Sequence, residues 1–141
     1  MKYQFSANES LQITFREKGI RGIPYDCALN FKLETEDYRG SSSCWIEGED
    51  LSGFCAELKS LEKTLKGMAQ LTSASPGELN LKINPINSLG LFVLQVELGS
   101  KKIIDRSLFD QSVKSAFELE AQMVIKFCKE FLNYIEGALN D

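Results

Sequence analysis

Over "LQITFREKG" apolar and polar residues alternate, with Leu11, Ile13 and Phe15 on one side and Gln12, Thr14 and Arg16 on the other. A period of two marks a half-buried strand. Gly19, Gly22 and Pro24 break the run, and "YDCALNFKLETED" resumes it with Cys27, Leu29, Phe31 and Leu33 set against Ala28, Asn30, Lys32 and Glu34. A polar loop through Arg39, Gly40 and three serines leads to a short strand around Cys44 to Glu47. A hairpin is expected there, and the N-terminal half reads as an antiparallel meander.

The period then changes. Leu51, Phe54, Leu58, Leu61 and Leu65 fall on one helical face, with Asp50 as the expected N-cap and Gly67 as the stop, which predicts a helix from about Leu51 to Lys66. Lys59, Lys63 and Lys66 occupy the opposite, solvated face, and Glu62 is spaced to pair with Lys66.

Alternation returns in "ELNLKIN", through Leu79, Leu81 and Ile83, and in "LGLFVLQVELGS", through Phe92, Leu94, Val96 and Leu98. Leu91 and Val93 make the second face of the latter apolar as well, which predicts a strand near the centre of a sheet. The segment "KKIIDRSLFDQS" lacks a pattern and reads as a loop, and "VKSAFELE" as a strand. Ala121 to Leu139 forms a second helix, with Val124, Phe127, Cys128, Phe131, Ile135 and Leu139 on one face. Met123, Ile125, Leu132 and Tyr134 widen that face, so this helix should be the more buried of the two. A shift of 73 residues aligns Cys44 and Ile46 with Phe117 and Leu119, Leu51 with Val124, Phe54 and Cys55 with Phe127 and Cys128, and Leu58 with Phe131. If Phe117 and Leu119 face the core, Cys44 and Ile46 do too, and Trp45 points to the other side of its sheet.

Together these elements predict an α+β fold: a twisted antiparallel sheet of about six to eight strands packed with two amphipathic helices, residues 1–141 forming a single domain. At 141 residues the chain is long enough to bury a core without a metal or disulfide staple, and 43% hydrophobic with 26% charged residues is an ordinary globular balance.

Charge and residue types narrow the chemistry. There is no histidine, so Ser-His-Asp and Cys-His arrangements cannot be assembled and the usual proton carrier near neutral pH is missing. Cys27, Cys44, Cys55 and Cys128 form no C-x-x-C pair, which argues against zinc and for buried, reduced thiols of a cytoplasmic protein. Glu47 with Glu49, and Glu118 with Glu120, are spaced to share a strand face, but each pair sits where a strand hands over to a helix, where carboxylates commonly face water. The glycines make no phosphate-binding pattern. Neither a cofactor nor a metal is expected, nor catalysis. Twenty acidic against sixteen basic residues, a net charge of −4, disfavour nucleic acid. The start "MKYQFSANESLQ" lacks the apolar core of a signal peptide, and "LGLFVLQVELG" is far short of the ~20 residues that span a bilayer, so no membrane association is expected.

Trp45 followed by "DLSGFCAELKSL" and "LKG", two further strands, and then the strand-to-helix unit "SAFELEAQMVIKF" resembles small bacterial proteins of the WapI-type immunity group and related uncharacterised families. The positions that carry the likeness, Trp45, Asp50-Leu51, Phe54, Phe117 and Leu119, are fold-forming. The resemblance implies a non-catalytic cytoplasmic protein that binds and neutralises a toxin domain made by the same cell, and it transfers no interface residues.

From the residues themselves, the candidate partner surface is the hairpin from Leu33 to Glu49. Glu34, Glu36, Asp37 and Tyr38 fall at its loop end, and Trp45 and Glu47 on the returning strand. An aromatic anchor flanked by carboxylates suits a basic protein. The alternative is a solvated hairpin with a buried tryptophan. Two other functions remain open: an oligomeric scaffold that self-associates through a sheet edge or apolar patch, and a small-ligand binder with a cavity between sheet and helices. The oligomeric state is not specified by the sequence.

Overall fold

The computed structural model describes residues 1–20 and 23–141, so the chain break expected at Gly22 lies outside the described residues. Strands β1 (Lys2–Ser6), β2 (Glu9–Lys18), β3 (Cys27–Glu34) and β4 (Arg39–Ile46) form an antiparallel meander, each paired with the next. Helix α1 (Gly48–Thr64) follows at once. Then β5 (Ala69–Thr72), β6 (Leu79–Pro85), β7 (Leu91–Ile104) and β8 (Ser107–Glu120) form a second four-stranded meander, and α2 (Ala121–Asn140) closes the chain.

The fold is therefore α+β, with antiparallel strands and two helices, but the strands make two sheets where one was expected. The cause lies at the ends of the meanders. Helix α1 leaves β4 directly, and β4 then meets the second sheet through its inner face. Ser42 Oγ donates to the Gly99 carbonyl at 3.1 Å. Gly40 lies so close to β8 that a Cβ there would sit 2.2 Å from Val113 Cγ1. A side chain at Gly40 would push the sheets apart.

The 73-residue echo acquires a structural meaning, because the order ββββα occurs twice. Cys44, Ile46, Leu51, Phe54 and Leu58 are buried, and so are their counterparts Phe117, Leu119, Val124, Phe127 and Phe131. Both halves feed one hydrophobic core. The helices join there, with Phe54 and Phe131 meeting edge to face at 5.1 Å and 86°. Above that contact Lys59 reaches Glu136 at 3.1 Å and Lys129 reaches Glu62 at 3.8 Å. The expected Glu62–Lys66 pair is thus replaced by a bridge to the other helix. From the opposite side of the core Phe5 stacks on Phe117 with ring centres 4.0 Å apart, and Tyr3 donates to the Met123 carbonyl at 3.1 Å.

Helix α1 begins earlier than the sequence suggested. Its N-cap is Glu47, not Asp50, and the Gly48 amide donates to Asp26 Oδ1 at 2.7 Å. A carboxylate from the loop before β3 thereby satisfies one of the orphan donors of the first turn. Gly48 is needed for this approach, since a Cβ would sit 2.2 Å from the Pro24 carbonyl oxygen. Glu49 and Asp50 lie in the first turn, where negative charge is favourable. At the other end Leu65 takes a left-handed conformation, φ 54°, and its amide returns to the Leu61 carbonyl at 2.9 Å.

Candidate protein-binding surface

The two halves differ most at their last hairpin. Strands β3 and β4 have 8 residues each, whereas β7 and β8 have 14 each. The extra length leaves the core: along β7 burial ends at Gly99, and in β8 it begins again only near Val113. Between these points Ser100–Ser112 form a two-stranded arm that is exposed throughout. Asp105 (φ 49°) and Arg106 (φ 68°) turn it, both left-handed, in the manner of the tight turns whose twist matches that of a hairpin. The segment expected to be a loop is therefore paired strand in unbroken register from Ser100↔Gln111 to Ile104↔Ser107. It showed no alternation because neither of its faces is buried.

The arm carries apolar side chains on both faces. Ile103 and Leu108 are paired across one face and are 71% and 63% exposed, and Ile104 and Phe109 on the other are each 51% exposed. Single exposed apolar residues are normal, but four clustered on a projecting ribbon are the pattern of a surface that meets another molecule. Lys101, Lys102, Asp105, Arg106 and Asp110 surround them with charges of both signs.

The residues expected to bind a partner are divided between two places. Glu34, Glu36, Asp37 and Tyr38 lie at the tip of the β3–β4 hairpin, with Tyr38 65% exposed. Their charge is moderated locally: Lys32 Nζ meets Glu34 at 3.3 Å, Asn8 donates to Glu36 at 3.3 Å, and Lys2 and Arg39 line the same open depression. Trp45 lies near the opposite end of β4, roughly 20 Å away at the usual rise per strand residue. It points outward as the parity argument required, 39% exposed between buried Cys44 and Ile46, with its ring edge beside Gly19. Glu47 caps α1 just beyond it. The hairpin thus brings the four tip residues together and leaves Trp45 and Glu47 apart from them.

Of the two carboxylate pairs, Glu47 and Glu49 do not share a strand face, because the helix starts at Gly48 between them. Glu118 and Glu120 are both exposed on the outer side of β8. All four thiols are free; Cys27, Cys44 and Cys128 are buried and Cys55 is half-buried. Burial pushes Cys27 and Cys55 up to about 11 and Cys44 and Cys128 up to about 12, so neutral pH leaves them protonated and poor nucleophiles. Among the described residues no three of His, Cys, Asp or Glu are grouped to hold a metal ion, and no helix is long and apolar enough to cross a membrane. The open depression at the hairpin tips, beside Lys2, Glu36 and Arg39, measures about 750 Å³, and two smaller ones lie on the open outer faces of the sheets, one of about 380 Å³ over Lys82, Gln95 and Lys114 and another of about 350 Å³ over Gln12, Asn30 and Ser43. None of the three is lined by a helix residue, whereas a ligand binder of this fold would need a cavity between sheet and helices.

The thiols give a first test. Native protein should react slowly at Cys27, Cys44 and Cys128 and faster at Cys55, which mass spectrometry after timed alkylation reads directly. Their raised folded values also make stability depend on alkaline pH. The contribution is fully present below the unfolded thiol value of 9.0 and is lost as pH rises towards about 11 to 12. Each thiol adds a slope of up to about 1.4 kcal/mol per pH unit in that window. Replacing Cys44 with alanine should flatten the fall, and an unchanged profile would contradict its burial.

Compared with protein-family models, curated proteins and solved structures, the chain matches none.

Proposed function

We propose that this chain is a protein-binding module without catalytic activity, and that it engages another polypeptide through the β7–β8 arm. The observation that carries this reading is the exposure of Ile103, Ile104, Leu108 and Phe109 on a paired ribbon that projects beyond the core. The matching hairpin of the first half manages with 8-residue strands, so the fold has no need of the extra length. Ordered apolar side chains that serve no core are best explained by contact with something else. A toxin domain, which the resemblance to WapI-type immunity proteins implies, is one partner consistent with this surface, and the cytoplasm is the compartment that reading requires. A β-ribbon also offers unpaired backbone groups, so strand addition is available as a mode of recognition.

The test compares three tagged proteins in an extract of the native host: the full chain, Trp45→Ala, and a variant in which 100–111 is replaced by a four-residue turn like that of the first half. Chains recovered with the full protein, whether a different protein or an untagged second copy, are expected to be lost with the short-armed variant while Trp45→Ala retains them. Equal recovery by the short-armed variant, with an unchanged melting temperature, would move the interface off the arm.

A further inference from the structure

The free edge of the second sheet is β8, which ends the order β5-β6-β7-β8. Its 14 residues run without a bulge and without proline, and residues 107–112, 114 and 116 are exposed. Long unprotected edges of this kind are templates for another strand, and proteins that remain single usually blunt them. Pairing with β7 decides which backbone groups are free. The residues that flank a two-residue turn exchange both hydrogen bonds, so Ile104↔Ser107 is a bonded pair and bonded pairs recur at every second position from there. The odd-numbered residues of β8 therefore address β7. Leu108, Asp110, Ser112, Lys114 and Ala116 direct their N–H and C=O groups outwards, and none of them bonds to another element among the described residues.

We infer that the arm's partner is a second copy of this chain, joined by antiparallel pairing of β8 with β8 about a twofold axis at Ser112. This rests on the reading of the arm as a docking element and names what docks there. The side chains select the register. With Ser112 opposite its own counterpart, Asp110 of each copy faces Lys114 of the other, twice, by the symmetry. Leu108 falls opposite Ala116 on the same face, and Glu118 comes next to Arg106 at the turn. Each of these couples an acid with a base or two apolar groups, which is the self-complementarity that a twofold interface needs. The outward-facing residues are the ones brought into bonded pairs, giving about ten backbone hydrogen bonds across the axis. Lys114 already lies 3.7 Å from Glu97 on β7, so in the pair it would stand between two carboxylates, a favourable place for a cation. The two sheets would become one of eight strands, with Phe109 covered on a face that is open in the single chain.

Light scattering across a dilution series is the test, with melting curves measured beside it. The full chain is expected to approach twice its 15.8 kDa as concentration rises. Asp110→Lys and Lys114→Asp, each placing like charges opposite one another twice, should raise the dissociation constant on the order of tenfold or more, and the double variant should restore it. Ser112→Pro should abolish pairing without removing a bond to β7, because the Ser112 amide faces outward. A chain that stays single at submillimolar concentration, or a double variant no better than either single one, would overturn the self-pairing. If a different protein is still recovered from extract in an arm-dependent way, the docking reading survives that failure. If neither pairing nor recovery depends on the arm, both fall.

Discussion

Phe131→Asp is expected to leave the protein unfolded. Phe131 is fully buried on α2, edge to face with Phe54 of α1 and 6.2 Å from the ring of Phe127, at the place where the two ββββα units share their core. An aspartate there has no cation within the apolar surroundings to offset its desolvation, and the ring's packing is lost as well. The alanine form alone should cost about 3–5 kcal/mol, and adding the buried charge exceeds the margin of a domain that is stable by about 5–15 kcal/mol. Phe54→Asp should behave alike, since it strikes the same contact from the other helix. Circular dichroism and thermal melting check both. A cooperative melt at the parent temperature would mean that the helix faces do not meet as described.

The second large effect runs the other way: a heavy loss of association with no loss of stability. Leu108→Ser with Phe109→Ser removes two exposed apolar side chains from the arm and should shift the melting temperature little, because neither touches the core. Association through the arm should weaken by about 3 kcal/mol or more, which is above a hundredfold in the dissociation constant, if both side chains become buried on docking. Concentration-dependent light scattering and a melting curve on the same sample separate the two quantities. A variant that both melts early and fails to associate would show that these residues serve the fold.

What the sequence made legible was burial on one side of an element. Leu11, Ile13, Leu29, Phe31, Leu81, Ile83, Leu94 and Val96 announced their strands because every second side chain meets the core. The stripes of α1 and α2 were readable for the same reason at a different period. Strand β1 carries too short an apolar pattern to announce itself, having only Tyr3 buried within it and Phe5 half-buried. Sequence pattern alone puts the start of α1 at Asp50, too late, because Asp26, 22 residues before Gly48, supplies the capping group and no local pattern records that contact. Helical spacing points Glu62 to Lys66, whereas its ion-pair partner is Lys129 on α2.

The candidate surface was legible only in part. Parity turned Trp45 outward correctly, since it needs nothing beyond the alternation of Cys44 and Ile46. The arm reads as a loop in sequence because periodicity reports burial, and a ribbon exposed on both faces has none. "IIDRSLF" does contain a signal, three polar residues between two apolar pairs, but only the end of the core near Gly99 reveals that these residues project from the body.

Amide hydrogen exchange along β8, followed residue by residue at low and at high protein concentration, tests the role of the arm most directly. In dilute solution the amides of Asp110, Ser112 and Lys114, which face away from β7, should exchange quickly, while those of Gln111 and Val113 are slowed by their bonds to that strand. At high concentration the outward amides should slow by a hundredfold or more as a second β8 covers them. Rapid exchange of Asp110, Ser112 and Lys114 at every concentration would contradict the pairing.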